Sequence, residues 1–133
     1  MDRQDNAFVI INAKRTNPDL PLPRQETEGS AGYDLCTPVG FKLLPRESTI
    51  VPVGLVLEIP KGYFGLIKPR SSMAKAGLTI DAGVIDQDYR GEIHVIMYNR
   101  NRLQSIEVEK GDRIAQVIIL PYVIAELKES NNV

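Results

Sequence analysis

The apolar residues of this chain fall in short runs that prolines and glycines separate, a pattern that favours many short β-strands over helices. The runs are rich in valine and isoleucine, which fit the half-buried surface of a sheet. We predict strands over Ala7–Ile11, Phe41–Leu44, Thr49–Ile59, Gly62–Lys68, Leu78–Ile80, Glu92–Tyr98, Ser105–Val108 and Arg113–Leu120. Only Ser71–Ala76 is typical of a short helical turn, which ends at Gly77.

This number of short strands in 133 residues predicts a single all-β domain over residues 1–133. A sandwich or a barrel would bury such strands, and a jelly roll is among the options. The run Thr49–Ile59 is almost continuously apolar, which indicates burial on both faces or at a subunit contact. The chain turns polar after Tyr122, so we expect residues 122–133 to form a tail.

The charge and the cysteine count narrow the partners and the compartment. A formal net charge of -1 gives no basic field for a nucleic-acid backbone, so we expect no nucleic-acid partner. No apolar run approaches the roughly 20 residues of a membrane span, and Met1–Asn6 lacks the apolar core of a secretion signal. The single cysteine, Cys36, cannot form an internal disulfide, which fits an intracellular, reducing compartment.

Two segments carry polar residues that plain β-structure does not need. Asp34 lies within the strand-like string AGYDL, where it is either a paired or metal-linked carboxylate or a turn residue that caps local backbone. In the string KPRSSMA, a proline precedes Arg70, and Ser71 and Ser72 follow at the start of the helical turn. These donors suit a phosphate, although a helix cap beside a surface arginine gives the same pattern.

Two further segments add a charged turn and a polar residue in an apolar strand. The string GVIDQDYRG is typical of a hairpin turn, in which Asp86 is either a general base for water or a turn residue that bonds backbone amides. Tyr89 in the same string offers a flat face to a sugar or a base. Gln116 lies among apolar residues, so its amide either has a partner or faces water at a strand edge. His94 is the single histidine, and one histidine forms no metal cluster.

The four segments together, and in this order, resemble the first four motifs of the trimeric dUTP pyrophosphatases, or dUTPases: AGYDL, PRSS, GVIDQDYRG and GDRIAQ. The resemblance spans Ala31 to Gln116. Its third motif is the most specific and fits the pyrophosphatases better than the related dCTP deaminases. The resemblance implies a jelly-roll-like subunit, a homotrimer with active sites between subunits, and Mg²⁺-dependent hydrolysis of dUTP to dUMP and pyrophosphate.

The resemblance also implies a role for each matching position. Asp86 would activate the water that attacks the α-phosphorus, and Tyr89 would stack under the deoxyribose and exclude a 2′-hydroxyl. Asp34 would orient Mg²⁺ through its waters, since magnesium prefers oxygen ligands and keeps several waters. The remaining positions would hold phosphate and uracil: Arg70, Ser71, Ser72 and Gln116 the phosphates, and the backbone of Gly83, Val84, Ile85 and His94 the uracil.

Two departures from the family pattern bear on activity. Ser72 stands where the second motif usually has glycine, and its hydroxyl can still donate to a phosphate. Residues 117–133 contain no glycine, so we expect this chain to lack the glycine-rich fifth motif, which in the family closes over the nucleotide from another subunit. We therefore expect a dUTP hydrolase with slowed turnover. One alternative is a non-catalytic binding or regulatory protein with a protein partner in place of dUTP. Another is a dUTPase whose tail has been removed by proteolysis or by processing of a larger polyprotein. Viruses and cells both carry dUTPases.

Overall fold

A computed structural model describes residues 9–133 of the chain. Short strands dominate this range, and the helix found there has five residues. The elements in chain order are β1 (Asn12–Arg15), β2 (Gly32–Cys36), β3 (Phe41–Leu43), β4 (Ser48–Pro52), β5 (Leu55–Glu58), β6 (Tyr63–Lys68), α1 (Ser71–Lys75), β7 (Leu78–Asp81), β8 (Val84–Ile85), β9 (His94–Asn99), β10 (Ile106–Val108) and β11 (Arg113–Pro121). No helix among the described residues is long and apolar enough to cross a membrane.

The strands pair into antiparallel sheets. The largest sheet has the order β2-β11-β6-β8, and a three-stranded sheet has the order β4-β9-β7. In addition, β1 pairs with β5, and β3 pairs with β10. The predicted all-β, jelly-roll-like class is confirmed, although within residues 9–133 the hydrogen-bonded strands form separate sheets rather than one closed barrel.

One cluster of buried apolar residues joins the two larger sheets. On β9, Val95 and Met97 are completely buried, whereas His94 is exposed. This alternation is that of a strand with one face on the core. Ile67 on β6 and Val117 on β11 belong to the same cluster. Side chains on the outer faces and at the strand ends are therefore the ones available to a ligand.

The apolar run predicted as one strand, Thr49–Ile59, forms two strands in different sheets. Gly54 lies between β4 and β5 with a φ of +66°, a left-handed conformation that favours glycine. A Cβ atom at Gly54 would come within 2.8 Å of the Cβ atom of Asn17, so the loop after β1 leaves no room for a side chain there. Val51 is buried but Ile50 is 62% exposed, so burial on both faces within one chain is wrong for β4.

Two further predictions are corrected by the pairing of the strands. The predicted strand Ala7–Ile11 is wrong for residues 9–11, which form no strand, and residues 7 and 8 lie outside the described part of the chain. The segment 83–98 is not a hairpin, because β8 pairs with β6 whereas β9 pairs with β4 and β7. The string AGYDL contributes β2, so Asp34 is a strand residue and not a turn residue.

The predicted helical turn is confirmed as α1. Gly77 follows it with a φ of +99°, and its N–H donates to the carbonyl of Ala74, 3.1 Å away, which closes the helix end. Pro69 and Arg70 connect β6 directly to the first residue of α1. This connection places Arg70 at the end of the four-stranded sheet.

Candidate active site

The first group of candidate residues meets at one end of the four-stranded sheet. Gln116 on β11 lies directly opposite Asp34 on β2 and Lys68 on β6. Its side-chain amide donates a hydrogen bond to the carbonyl of Pro69, 3.1 Å away, so the amide has a protein partner. A Cβ atom at Gly32 would collide with the Oε1 atom of Gln116, so Gly32 makes the space in which this side chain lies.

Two arginines and two carboxylates form an ion-pair cluster at the same end of the sheet: Arg70, Arg113, Asp34 and Glu26. The Nε atom of Arg70 lies 3.5 Å from Oδ1 of Asp34, and Nη1 of Arg113 lies 3.4 Å from Oδ2. The Oε1 atom of Glu26 lies 3.7 Å from Nη2 of Arg70 and 3.7 Å from Nη1 of Arg113. The side chain of Asp34 is only 14% exposed, and a buried charge is costly unless it is paired. The two arginines supply this pairing.

The sequence analysis assigns no role to two members of the ion-pair cluster, Arg113 and Glu26. Arg113 belongs to the string GDRIAQ and pairs opposite Cys36. A register shift between Arg113 and Ala115 interrupts the alternation of β11, so periodicity does not indicate which face Arg113 takes. Glu26 lies in a loop, where no periodic pattern indicates a partner.

The two serines of the second motif lie next to this cluster. Ser71 and Ser72 are exposed in the first turn of α1, directly after Arg70. The structure therefore brings the residues predicted for phosphate, together with Asp34, to the end of the sheet where β6 leads into α1.

The second group of candidate residues surrounds a cavity of about 210 Å³. The end of β7, the strand β8, the turn after it and the start of β9 form its walls. The lining includes all residues predicted for uracil, sugar and the attacking water: Gly83, Val84, Ile85, Asp86, Tyr89 and His94. The carboxylate of Asp86 is exposed at the rim.

The ring of Tyr89 is held in place at the rim of this cavity. Its hydroxyl donates to the carbonyl of Glu92, 2.6 Å away, and its backbone N–H donates to the carbonyl of Asp86, 3.1 Å away. A Cβ atom at Gly91 would lie 2.7 Å from the hydroxyl oxygen, so glycine leaves room for the ring. Because the ring is fixed in this way and is still 42% exposed, it can present a face to a ligand.

Backbone groups border the same cavity. Gly83 has a φ of +106°, and its carbonyl accepts a hydrogen bond from the N–H of Ile67 at 2.8 Å. The strand β8 is the outer strand of its sheet, so one edge of its backbone is not paired within that sheet. The pairing of β9 with β7 ends at Ile96, and His94 lies beyond it. Such strand edges offer both donors and acceptors to a flat ligand.

The two groups of residues lie well apart within one chain. Gly65 and Leu66 on β6 pair with β8, whereas Lys68 at the end of β6 pairs with Gln116. With a rise of about 3.3 Å per residue and about 4.8 Å between strands, this register separates Asp86 from Gln116 by about 13 Å along the strands and about 10 Å across them. One chain therefore does not bring Asp86 next to the ion-pair cluster.

Cys36 lies on β2 near the ion-pair cluster. Burial raises the pKa of the Cys36 thiol and the charge of Asp34 raises it further, while Arg113 and Arg70 act in the opposite direction. A raised pKa keeps the thiol protonated at neutral pH, and a protonated thiol is a poor nucleophile. Cys36 is therefore a packing residue beside the cluster.

A family model described as dUTPase matches residues 19–133, a range that includes both groups of site residues. The chain belongs to the dUTPase family. The deoxyuridine 5′-triphosphate nucleotidohydrolase of Anaeromyxobacter sp. (strain Fw109-5) is 46% identical over 125 residues, which cover 90% of this chain and 84% of that protein. The protein of the same name from Aquifex aeolicus (strain VF5) is 45% identical over 120 residues, which cover 85% and 79%.

A solved dUTPase structure has the same fold as this dUTPase-family chain. A mutant of the Staphylococcus bacteriophage 80alpha dUTPase with dUpNHpp matches with a TM-score of 0.88 at 25% identity, over 95% of this chain and 90% of that one. The resemblance seen in the four sequence motifs is thus confirmed at the level of the family and of the fold.

Proposed function

We propose that this chain hydrolyses dUTP to dUMP and pyrophosphate, the activity that the names of its relatives state for those proteins. The observation that carries the proposal is the position of Asp86, an exposed carboxylate at the rim of the cavity that Tyr89 borders. At about 210 Å³, this cavity is smaller than most small-molecule pockets, which suits a single pyrimidine nucleoside with its phosphates outside.

Asp86 is the general base of the proposed reaction. Its carboxylate accepts a proton from a water molecule, and the water oxygen attacks the α-phosphorus. The bond from the α-phosphorus to the bridging oxygen breaks, and pyrophosphate leaves with the bonding electrons. The product dUMP keeps the oxygen that came from water.

Tyr89 selects the sugar in this proposal. Its ring stacks under the deoxyribose, and the hydrogen bond to Glu92 keeps the ring from moving aside. A 2′-hydroxyl on the face of the sugar next to the ring would collide with it. The proposal therefore includes rejection of ribonucleotides.

Uracil is read by backbone groups on the two sides of the cavity. On one side is the outer edge of β8, with Gly83, Val84 and Ile85, and on the other is the start of β9 at His94. Backbone donors and acceptors in fixed positions distinguish the oxygen and N–H pattern of uracil from that of cytosine. The side chain of His94 has no role in this reading.

The arginines of the ion-pair cluster and the polar residues beside them hold the triphosphate. The guanidinium of Arg70 offers a planar pair of donors, and the hydroxyls of Ser71 and Ser72 stand beside it. The amide of Gln116 has two N–H groups, of which one is bound to Pro69, so the second remains for a phosphate oxygen.

The donor set fits Mg²⁺ bound together with the nucleotide. Among the described residues, no group of three or more His, Cys, Asp or Glu side chains is arranged to hold a metal, so a site built from protein ligands alone is not supported there. Asp34 offers one carboxylate whose oxygens lie 3.5 and 3.4 Å from guanidinium nitrogens, which favours contact with Mg²⁺ through its waters. When bound, the ion neutralises charge on the phosphates.

A homotrimer is part of the proposal, because Asp86 and the ion-pair cluster lie too far apart in one chain to act on one phosphorus. A second copy that contributes the cluster completes a site around Asp86. The outer face of the three-stranded sheet offers a contact surface, since Ile50 is 62% exposed and pairs across β4 and β9 with Ile96, which lines the cavity.

Release of pyrophosphate from dUTP in the presence of Mg²⁺ tests the proposal, with Asp86→Asn as the matched control. We expect turnover by the wild type and a loss of at least about a hundredfold in kcat for the variant, as for removal of a general base. Indistinguishable rates for the two proteins would refute the role of Asp86. A lack of turnover in both would leave the non-catalytic binding protein as the better account.

We also infer an intracellular location, where deoxynucleotides are found.

A further inference from the structure

Glu26 places a negative charge against both guanidiniums of the ion-pair cluster. Its Oε1 atom lies 3.7 Å from a terminal nitrogen of Arg70 and 3.7 Å from one of Arg113. Asp34 contacts the same two arginines from β2. The four formal charges therefore cancel, whereas a site that binds a triphosphate is expected to be positive.

The two carboxylates of the cluster differ in how firmly they are held. The side chain of Asp34 is 14% exposed and stands on a paired strand, whereas that of Glu26 is 59% exposed and stands on a loop. The ion pairs of Glu26, at 3.7 Å, are accessible to water, and such exposed ion pairs contribute little to stability. Glu26 can therefore leave the guanidiniums at small cost, while Asp34 stays.

The backbone on both sides of Glu26 is fixed beside the cluster. The N–H of Asp34 donates to the carbonyl of Arg24, 2.8 Å away, which ties the loop to β2. On the other side, the N–H of Thr27 donates to the hydroxyl oxygen of Ser30, 3.0 Å away. Only the side chain of Glu26 has to rotate for the contact with the arginines to form or break.

We propose that Glu26 competes with phosphate for the guanidiniums of Arg70 and Arg113 and so sets the affinity of the site for triphosphate and pyrophosphate. The inference rests on the proposed function, in which Arg70 holds phosphate oxygens. A phosphate oxygen and a carboxylate oxygen carry the same sign of charge and prefer the same planar donor. Nucleotide binding therefore requires Glu26 to turn toward water, and its return favours release of pyrophosphate.

The variant Glu26→Gln tests this, because it removes the charge and keeps the size of the side chain. We expect KM for dUTP and the inhibition constant of inorganic pyrophosphate to fall roughly three- to tenfold. The difference from wild type should shrink as sodium chloride is raised, since salt screens an exposed charge. Glu28→Gln is the matched control. It makes the same charge change in the same loop, but the carboxylate of this loop that pairs with Arg70 and Arg113 is Glu26. We expect it to shift neither constant by more than about twofold.

Calorimetric titration of the wild type, Glu26→Gln and Glu28→Gln with inorganic pyrophosphate and Mg²⁺ separates this inference from the proposed function. Tighter binding by Glu26→Gln than by wild type supports the inference even where dUTP is not turned over. Equal affinities, or equal effects of Glu26→Gln and Glu28→Gln, overturn it, as does the absence of binding in all three proteins. Weaker binding by Glu26→Gln would indicate that Glu26 holds Mg²⁺ instead and would also overturn it.

Discussion

The side-chain amide of Gln116 lies over Gly32, and a Cβ atom on that glycine would collide with its Oε1 atom. The two residues stand on neighbouring strands, β11 and β2, so a glycine on one strand sets the position of a polar side chain on the next. The hydrogen bond from this amide to Pro69 depends on the same space.

The variant Gly32→Ala should therefore weaken nucleotide binding more than it weakens the fold. The added methyl group displaces the amide of Gln116 from Pro69, and we expect KM for dUTP to rise about tenfold or more, the cost of one misplaced hydrogen bond to a charged group. Steady-state kinetics with dUTP measure this. Gly29→Ala is the control, because a Cβ atom there meets nothing within 4 Å. Equal KM values for the two variants would contradict the positioning role of Gly32.

Removal of the Tyr89 ring should change sugar selectivity more than base selectivity. Tyr89→Ala is expected to lower discrimination against UTP by about tenfold or more, and to lower discrimination against dCTP much less, because backbone groups read the base. The ratio of kcat/KM values for dUTP, UTP and dCTP measures both effects. Tyr89→Phe keeps the ring and loses only the hydrogen bond to Glu92, so it should show a smaller effect. An equal loss against UTP and dCTP in Tyr89→Ala would show that the ring does not contact the sugar.

Mixed oligomers test whether Asp86 and Arg70 act from different chains. Asp86→Asn and Arg70→Ala are each expected to be inactive alone. In randomly mixed trimers, about a quarter of the sites combine an intact Asp86 from one chain with an intact Arg70 from another, since each position is filled correctly half the time. Co-refolding the two variants should restore about that fraction of wild-type activity. A mixture no more active than its components, or a monomer by light scattering, would contradict the shared site.

Asn99 should be the most sensitive polar residue of the core. It is completely buried; its amide nitrogen donates to the carbonyls of Leu43 and Gln104 at 3.0 and 2.8 Å, and its oxygen accepts from Asn101. Asn99→Ala leaves these buried groups unpaired, and we expect the free energy of unfolding to fall by about 2–4 kcal/mol. Urea unfolding at one fixed protein concentration measures it.

The control for Asn99→Ala is Asn131→Ala, at an exposed position near the end of the chain. It should change the free energy of unfolding by less than about 0.5 kcal/mol. Equal stabilities of the two variants would mean that the hydrogen bonds of Asn99 are replaced by water.

Cys36 should react slowly with alkylating reagents. Burial and Asp34 raise its pKa, so the folded protein holds the thiol proton at a pH where an unfolded chain has begun to lose it. The rate of labelling by iodoacetamide should therefore be lower in the folded protein than in urea, and the gap should be widest just above the ordinary thiol pKa. For the same reason, the contribution of this group to stability falls as pH rises through that range. Equal labelling rates in the two states would contradict the burial of the thiol.

Much of the fold follows from local pattern, and the exceptions have local physical causes. The apolar and β-branched residues of Glu92–Tyr98 predict the strand observed as β9, and Gly77 predicts the end of α1. The division of the run 49–59 depends on Gly54, which has a left-handed conformation and lies too close to Asn17 for a side chain, and no apolar pattern shows either feature.

The candidate site divides in the same way. Asp34, Asp86 and Tyr89 receive their expected roles from strings that, taken together and in order, resemble the family motifs. No such pattern predicts that Arg113 and Glu26 join the ion-pair cluster, because Arg113 lies at a register shift and Glu26 on a loop. Their contacts depend on how β2, β11 and the loop meet in space, which is information that no single stretch of sequence carries.

Attack by water at the α-phosphorus is tested most directly by locating the oxygen from water in the products. Hydrolysis of dUTP in ¹⁸O-labelled water with Mg²⁺, followed by mass spectrometry of both products, identifies the phosphorus that is attacked. Attack by water at the α-phosphorus predicts one labelled oxygen in dUMP and none in pyrophosphate. Label in pyrophosphate, release of inorganic phosphate as the first product, or no hydrolysis of dUTP would contradict the account.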